Sequence, residues 1–519
     1  MRQPLRVAAI GMAVTSAILL TACSGSGTGS NTGSTAATGG DLVIARAADA
    51  ISMDNTSTFD NNSIFVQEQI METLFTVTDD GQDVKPWLAT GYKISDDGLT
   101  YTINLRKGVK FSNGDPMTAK DVKFSIDADT ATGNDGWGYI NAAIDTVSVV
   151  DDSTVQIKLK YKWAPFLADL ALFSNAVVPA NYGGKTKAEF YQAPVGTGPF
   201  KWGSWKKGQS LKLVKNTNYW QKGKPYLDSV TWNVVADSNT RKLQLQGGQI
   251  DIDDTPDWSS FQSLKTASGV KAVTFNSTYE EYLAFNQKHA PFNDVHIRRA
   301  IAYAIDRKAI VKSVLFGNGT VANSLLSPGT PYYDKNATAP SYDLAEAKKE
   351  LAQSSKPDGF TTSILIASGN ADQQSIAQIL QQELAKIGIT LKIQTLDPTA
   401  NKQARNAGNF DMTLSAWTMD IPDPDEWTSF AVDPDGGSNS AFTGYNNPAV
   451  VRLNKKAQQT TDSDERQKLY SQLQDQTGQD AFLAYLYYSP YVYATSDKVS
   501  GFTVTPLGNY HLEDVKKSK

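Results

Sequence analysis

Positions 361–427 restrict the fold more than any other stretch. Residues 361–367 (TTSILIA) read as a strand, and Ile376, Ile379, Leu380, Leu384 and Ile387 fall on one face of a helix that Gly388 ends. Ile389, Leu391 and Ile393 then alternate as a second strand. Strand, helix, strand requires a parallel pair with a right-handed crossover. A third strand follows, in which Met412, Leu414 and Ala416 alternate with Thr413 and Ser415. Pro422 and Pro424 cannot continue it, so Trp417 and Asp420 lie near its end. In α/β sheets ligands gather beyond the carboxyl ends of strands. An aromatic plate beside a carboxylate there suits a ligand with a positive end. The plainer alternative is that Asp420 caps a turn and Trp417 is half-buried packing.

The chain has 519 residues, too many for one core, so two or three domains are expected. Hydrophobic residues make up 40% and charged residues 20%, which describes a globular protein. Lys+Arg number 49 against Asp+Glu 54, a balance that excludes an electrostatic grip on nucleic acid. The N-terminus departs from this pattern. Arg2 and Arg6 precede an uncharged apolar run, 7–20, too short for a comfortable membrane span and built like an export signal. It ends Leu20-Thr21-Ala22-Cys23, which resembles the lipobox of bacterial lipoproteins and implies a lipid on Cys23, the only cysteine. With that thiol consumed, neither disulfides nor cysteine chemistry remain for the mature protein. Residues 24–40, almost wholly Ser, Gly, Thr, Asn and Ala, read as a flexible tether.

After the tether, 41–47 reads as a strand, 51–62 as polar and irregular, and 64–74 as helical. Leu99, Tyr101, Ile103 and Leu105 mark a half-buried strand, as do Val155, Ile157 and Leu159. Thr118 is expected to cap a helix over 118–129, with Asp121 in the reciprocal position. Residues 194–200 (PVGTGPF) form a rigid Gly/Pro segment. Strands follow at 211–215, 230–235 and 251–253, and Asn239 is expected to cap a helix that stops at Gly247-Gly248. Asp294 and Asp306 are expected to cap two further helices, the second ending at Gly317, and 481–493 reads as buried strand.

Several segments together resemble one family, the extracellular solute-binding proteins of peptide and nickel ABC importers. They are Pro86-Trp87-Leu88-Ala89, 99–121, PVGTGPF, Asn218-Tyr219-Trp220, 247–251 (GGQID), 283–306 and the stretch from Trp417 to Pro424. The resemblance implies an α/β, type II periplasmic-binding-protein-like fold of two hinged lobes with an extra β-rich domain inserted in the first. On this reading 1–23 is leader and lipobox and 24–40 is tether. The first lobe is 41–75 and 191–280, the insertion 76–190, the second lobe 281–484, and 485–519 returns to the first. A monomer, lipid-anchored outside the cell membrane, is expected to close on an oligopeptide and present it to the membrane subunits of a permease, without a cofactor or metal. The resemblance places the ligand's ammonium on Asp420, with Trp417 at the family's aromatic position; Thr418, Met419 and Asn62 complete the candidate contacts. Dipeptide-specific relatives carry an Arg where this chain has Ser368-Gly369-Asn370-Ala371-Asp372, so a longer peptide held by its backbone fits better.

Other constellations point elsewhere only weakly. His289 and His296 are not at the spacing of a helical metal pair. Gly184-Lys185-Thr186 lacks the first glycine of a phosphate loop and reads as a turn. Asp423, Asp425 and Glu426 form a carboxylate cluster that would suit a secreted hydrolase, but their alternation with proline favours a solvated or hydrogen-bonded loop. Arg298-Arg299 reads as the exposed edge of an amphipathic helix. An oligosaccharide or a metal chelate is the alternative cargo, and the 10 Trp and 22 Tyr with the missing Arg favour the sugar.

Overall fold

The computed structural model of the protein describes residues 39–435 and 440–518. Cys23, the leader and most of the tether lie outside them. Two mixed sheets dominate. The first has seven strands in the order Val270–Phe275, Tyr491–Ser496, Ile252–Asp253, Asp41–Arg46, Ser229–Val234, Ser210–Lys215 and Phe200–Lys206. The second has six, in the order Thr320–Val321, Leu483–Tyr488, Glu280–Phe285, Met412–Trp417, Phe360–Ala367 and Ile389–Leu396. The expected parallel pair is present, with Phe360 opposite Ile389 and Ala367 opposite Leu396, and the helix Ala371–Ala385 between them in sequence. Its Ile376, Leu380 and Leu384 are buried with Ile364, Ile366, Ile389 and Leu391, the packing that the helical and strand periodicities encode.

A separate antiparallel sheet of four strands joins Ala89–Ile94, Thr100–Leu105, Thr154–Leu159 and Ile144–Asp151. Tyr101, Ile103, Leu105, Val155, Ile157 and Leu159 all face its core. The helix Ala119–Thr130 supplies Val122 and Ile126 to the same core. Its start is fixed as expected: the Asp121 carboxylate accepts from the Thr118 N–H at 2.7 Å and the Thr118 hydroxyl at 2.9 Å.

Only two passages join the large sheets. Residues 276–279 lead from Val270–Phe275 to Glu280–Phe285, and Ser489-Pro490 leads from Leu483–Tyr488 back to Tyr491–Ser496. The buried strand expected over 481–493 is therefore two strands in two sheets. Pro490 has no N–H to give a ladder, and the chain changes sheet there rather than at 485. Asp294 and Asp306 cap the helices Val295–Ala304 and Arg307–Val314 as expected. Asn239 does not cap its helix. Ser238–Gln246 starts earlier, and Asp237 accepts from the Thr240 N–H at 2.7 Å.

The helix expected over 64–74 is shorter and earlier, Asn61–Gln67, capped by Asp60. Beyond it the carbonyls of Gln69 and Ile70 accept from the N–H groups of Phe200 and Gly198, at 3.0 and 2.8 Å. A methyl carbon on Gly196 would lie 2.1 Å from the Ile70 oxygen, and one on Gly198 2.6 Å from that of Gln69. The PVGTGPF segment thus carries glycine where two backbones touch, and this contact replaces the helix's further turns.

Arg298 is buried rather than exposed. Its guanidinium donates to the carbonyls of Phe292 (2.7 Å), Asp480 (2.8 Å) and Ala481 (3.1 Å), closing the C-terminal end of the helix Ser463–Asp480. Burial pushes its pKa down to about 10. Arg299, half-buried, donates to the Gln479 carbonyl at 2.8 Å.

Candidate ligand-binding site

The strand Met412–Trp417 runs antiparallel to Glu280–Phe285, with Trp417 opposite Glu280. Met412 and Leu414 point into the second core. Trp417 leaves the strand on the other face, half-buried, stacks on Trp427 (4.5 Å, 16°) and packs at a tilt against Phe430 (4.6 Å, 34°). Its indole N–H has no hydrogen-bond partner.

The turn after Trp417 is pinned at both ends. The Met419 N–H donates to the Thr278 hydroxyl at 2.9 Å, and Thr278 belongs to the first passage between the sheets. The N–H groups of Asp420 and Ile421 both donate to Glu426 Oε2, at 2.7 and 3.0 Å. Glu426 lies in the first turn of the helix Asp425–Val432, where a carboxylate is favoured. The Ile421 side chain packs with Ile64, Leu172 and Phe173, so the two halves touch beside the turn. The Ala164 N–H donates across the same divide to the Gln458 carbonyl at 2.7 Å.

Two further carboxyls, Glu426 and Glu68, feel the charge of Asp420 here. Burial pushes Asp420 up to about 6. Burial, and then the Asp420 charge, hold Glu426 well above the ordinary carboxylate range. From the first lobe, Glu68 caps the helix Asn61–Gln67; burial pushes it up to about 8, with the Asp420 charge adding and a hydrogen bond from Asn509 Nδ2 opposing. Glu68 Oε2 has no partner. Tyr139 and Tyr491 lie within the field of Asp420, and both hydroxyls are raised, chiefly by burial. Such a cluster holds either protons or a cation, because ionised carboxylates taken out of water need a countercharge.

The structure brings Trp417, Thr418, Met419 and Asp420 together as one turn, but not in equal roles. Asp420 and Thr418 are half-buried, whereas the Met419 side chain is core, packed with Trp427, Ala431 and Leu326. Asn62 sits in the first turn of its helix, where its carbonyl accepts from Arg46 Nη1 at 2.6 Å. Glu68, at the other end of that helix, is the residue whose carboxyl feels the Asp420 charge. Nothing in the Gln67-Glu68-Gln69 sequence distinguishes it from a solvated face.

The cluster around Pro424 is hydrogen-bonded and buried rather than solvated. Asp423 receives both Arg466 Nη atoms at 2.8 and 2.9 Å, and Asp425 accepts from Ser429 (2.6 Å) and Gln458 (2.8 Å). At 368–372, Asn370 caps the helix Ala371–Ala385. An arginine reaches the site by another route: Arg405, from the helix Pro398–Asn406, donates to the Ser415 hydroxyl at 3.1 Å and lies over the Phe442 ring at 5.6 Å. Its Nε has no partner. Among the described residues no group of three His, Cys, Asp or Glu side chains is placed to hold a metal ion.

The sequence profile described as "Bacterial extracellular solute-binding proteins, family 5 Middle" matches residues 83–439. The chain belongs to the family 5 extracellular solute-binding proteins. The glutathione-binding protein GsiB of Salmonella choleraesuis is 31% identical over 91% of this chain and 94% of its own length. The oligopeptide-binding protein AppA of Bacillus subtilis is 31% identical over 96% of each. The solved structure of DppA, an ABC transporter-associated periplasmic binding protein from Helicobacter pylori in complex with the peptide STSA, superposes with a TM-score of 0.83 at 29% identity, covering 93% of this chain and 99% of that one. These likenesses give the two-lobe fold of family 5. The acidic turn lies where the two halves of this chain touch, beside the packing of Ile421 on Ile64, Leu172 and Phe173.

Proposed function

We propose that this solute-binding protein captures peptides outside the cell membrane and hands them to the permease of an ABC importer, making and breaking no bond. The observation that carries the reading is the set of three carboxyls, Asp420 and Glu426 from one lobe and Glu68 from the other, beside the interlobe contact. A free ammonium placed among them bridges the lobes and takes the place of a proton, so ligand binding favours the closed form. Trp417 and Thr418 flank that ammonium, and Asn62 lies at the far end of the Glu68 helix. Arg405, with an unpartnered N–H, offers a countercharge for an acidic group farther along the same strand. Relatives named for oligopeptides and for glutathione support a peptide cargo. The lobe boundaries follow the two passages, 276–279 and 489–490. A leader ending at Cys23, a lipid on that cysteine and a monomeric body tethered to the outer membrane face complete the proposal.

Calorimetric titration with short peptides tests it, together with native mass spectrometry of protein purified without denaturation. A co-purified peptide is the expected result. A co-purified sugar or metal chelate, with no peptide bound in titration, would sink the reading.

A further inference from the structure

Two stretches of this acidic chain carry no acid. Asp+Glu outnumber Lys+Arg 54 to 49 overall, yet neither 258–279 nor 307–333 contains an Asp or a Glu. The fold sets them side by side, although the first leads out of the seven-stranded half and the second belongs to the six-stranded half. Trp258 and Phe261, from the helix Trp258–Leu264, share a core with Ile310, Val311 and Val314 of the helix Arg307–Val314 and with Leu315 after it. Where the two helices end, Lys265 Nζ donates to Asn318 Oδ1 at 2.8 Å. The Asn318 amide in turn donates to the carbonyls of Leu315 (2.8 Å) and Phe316 (3.3 Å).

This junction displays charge and apolar surface together. Lys308 and Lys312 are exposed, four residues apart and so on one face of their helix. Neither they nor the exposed Lys265 forms an ion pair among the described residues. The acids at the starts of the two helices are engaged. Asp257 and Asp306 are their N-caps, and the buried Glu383 accepts the Asp306 N–H at 3.1 Å. Phe316 is 52% exposed and Val321 40%. Phe316 holds φ +50, a left-handed backbone that a bulky residue rarely adopts, so its ring is kept in solvent at a conformational cost. Val321 lies on the outermost strand of its sheet.

Unpaired lysines around an exposed ring match an anionic lipid surface. Phosphates attract the ammonium groups, and the ring enters the headgroup boundary. With a net charge of -5 the rest of the body is repelled, which confines the attraction to this face. Residues 24–38 reach at most about 50 Å, beyond the radius of about 30 Å expected for a body of this size. We propose that this face, formed by Lys265, Lys308, Lys312, Phe316 and Val321, docks on the anionic phospholipid headgroups of the membrane. This rests on the lipid-anchored placement outside the cell membrane proposed above.

The test is hydrogen exchange on the protein as isolated from its host. It is added to vesicles of phosphatidylcholine alone, and to vesicles with about one-third phosphatidylglycerol, at low salt. Exchange in 312–321 should slow about fivefold on the anionic vesicles only, and recover in high salt. Lys308→Glu together with Lys312→Glu should abolish the slowing. Phe316→Gly should reduce it by at least about half, and glycine accepts φ +50, so this variant keeps its fold. Attachment to both vesicles with no local slowing overturns the docking face while the anchor stands, as does slowing that survives both sets of substitutions. Slowing on native membrane vesicles but not on lipid alone assigns the face to a membrane protein and overturns lipid docking. Failure to attach to either vesicle overturns both the anchor and the docking face.

Discussion

The Ser277 hydroxyl donates to the main-chain carbonyl of Ser489. The residues lie 212 positions apart, one in each passage between the sheets, and this bond ties the two passages to each other. The same hydroxyl oxygen accepts from the Tyr279 N–H at 3.0 Å. Ser277→Ala removes both bonds at once. Each net hydrogen bond is worth about 1 kcal/mol, so the variant should lose about 1–2 kcal/mol of stability. Denaturant unfolding of wild type and variant in parallel measures it, and an unchanged midpoint would show that the bond contributes nothing.

Asp420 is expected to distinguish charged from capped amino termini. Asp420→Asn keeps the size of the side chain and removes the charge. Affinity for a free-amine peptide should fall by at least about tenfold, equivalent to about 1.4 kcal/mol. An N-acetylated peptide, already weak, should bind variant and wild type alike. Parallel calorimetric titrations decide it, and equal losses for both peptides would place the ammonium elsewhere.

Several buried carboxyls hold protons more tightly in the folded chain than in the unfolded one. Glu68 is raised to about 8, and Glu72, Asp129, Asp254 and Glu281 to about 7, chiefly by burial. The folded state therefore binds more protons than the unfolded state between the ordinary carboxylate range and these raised values. Stability is fully present below that ordinary range and is lost as pH rises through the raised values. The melting temperature of ligand-free protein should fall between about pH 5 and about pH 8. Differential scanning fluorimetry across that window checks it, and a flat or rising profile contradicts it.

Asp423 and Arg466 form a buried bidentate pair behind the ligand turn, each side chain 6% exposed. Removing one partner strands the other charge. Asp423→Ala should destabilise the protein by about 3–5 kcal/mol, far more than loss of a surface pair. Chemical denaturation measures the loss, and a cost below about 1 kcal/mol would mean that Arg466 finds another partner.

Gly196→Ala tests the contact that ends the first helix. The added carbon meets the Ile70 oxygen at 2.1 Å, and both neighbours are backbone. A loss of about 1–3 kcal/mol or more is expected, read from the thermal midpoint. Gly208→Ala is no control, because Gly208 adopts φ +73; Gly91, with open space around its Cβ position and no such φ, serves instead.

Much of this architecture is legible in the chain because its strands are half-buried and its helices carry their own caps. The alternation at Tyr101, Ile103 and Leu105, the parallel pair around Gly388, and the caps at Thr118, Asp294 and Asp306 are local signals with local causes. The errors arise where distant segments decide. The Asn61–Gln67 helix is shorter than its apolar spacing suggests because PVGTGPF takes the carbonyls that follow it. Arg298 is buried because a helix end nearly two hundred residues away needs donors. Pro490 inside the apolar run 481–493 was a visible sign of a break in the ladder. In the site, Trp417 and Asp420 stand out through the proline-broken strand. Glu68 is invisible in one dimension, since its meaning depends on a carboxylate in the opposite lobe.

The way the chain enters the body has a mechanical consequence. The Gly39 N–H donates to the Tyr226 carbonyl at 2.7 Å, the Gly40 N–H to the Asp228 carboxylate at 2.8 Å, and Asp41–Arg46 then fills an inner position of the seven-stranded sheet. Any pull transmitted through residue 39 thus enters the body through that sheet. The other half is strung between positions 276 and 490. If the proposed tether fixes residue 39, it fixes the seven-stranded sheet and leaves the six-stranded one to move about its two passages.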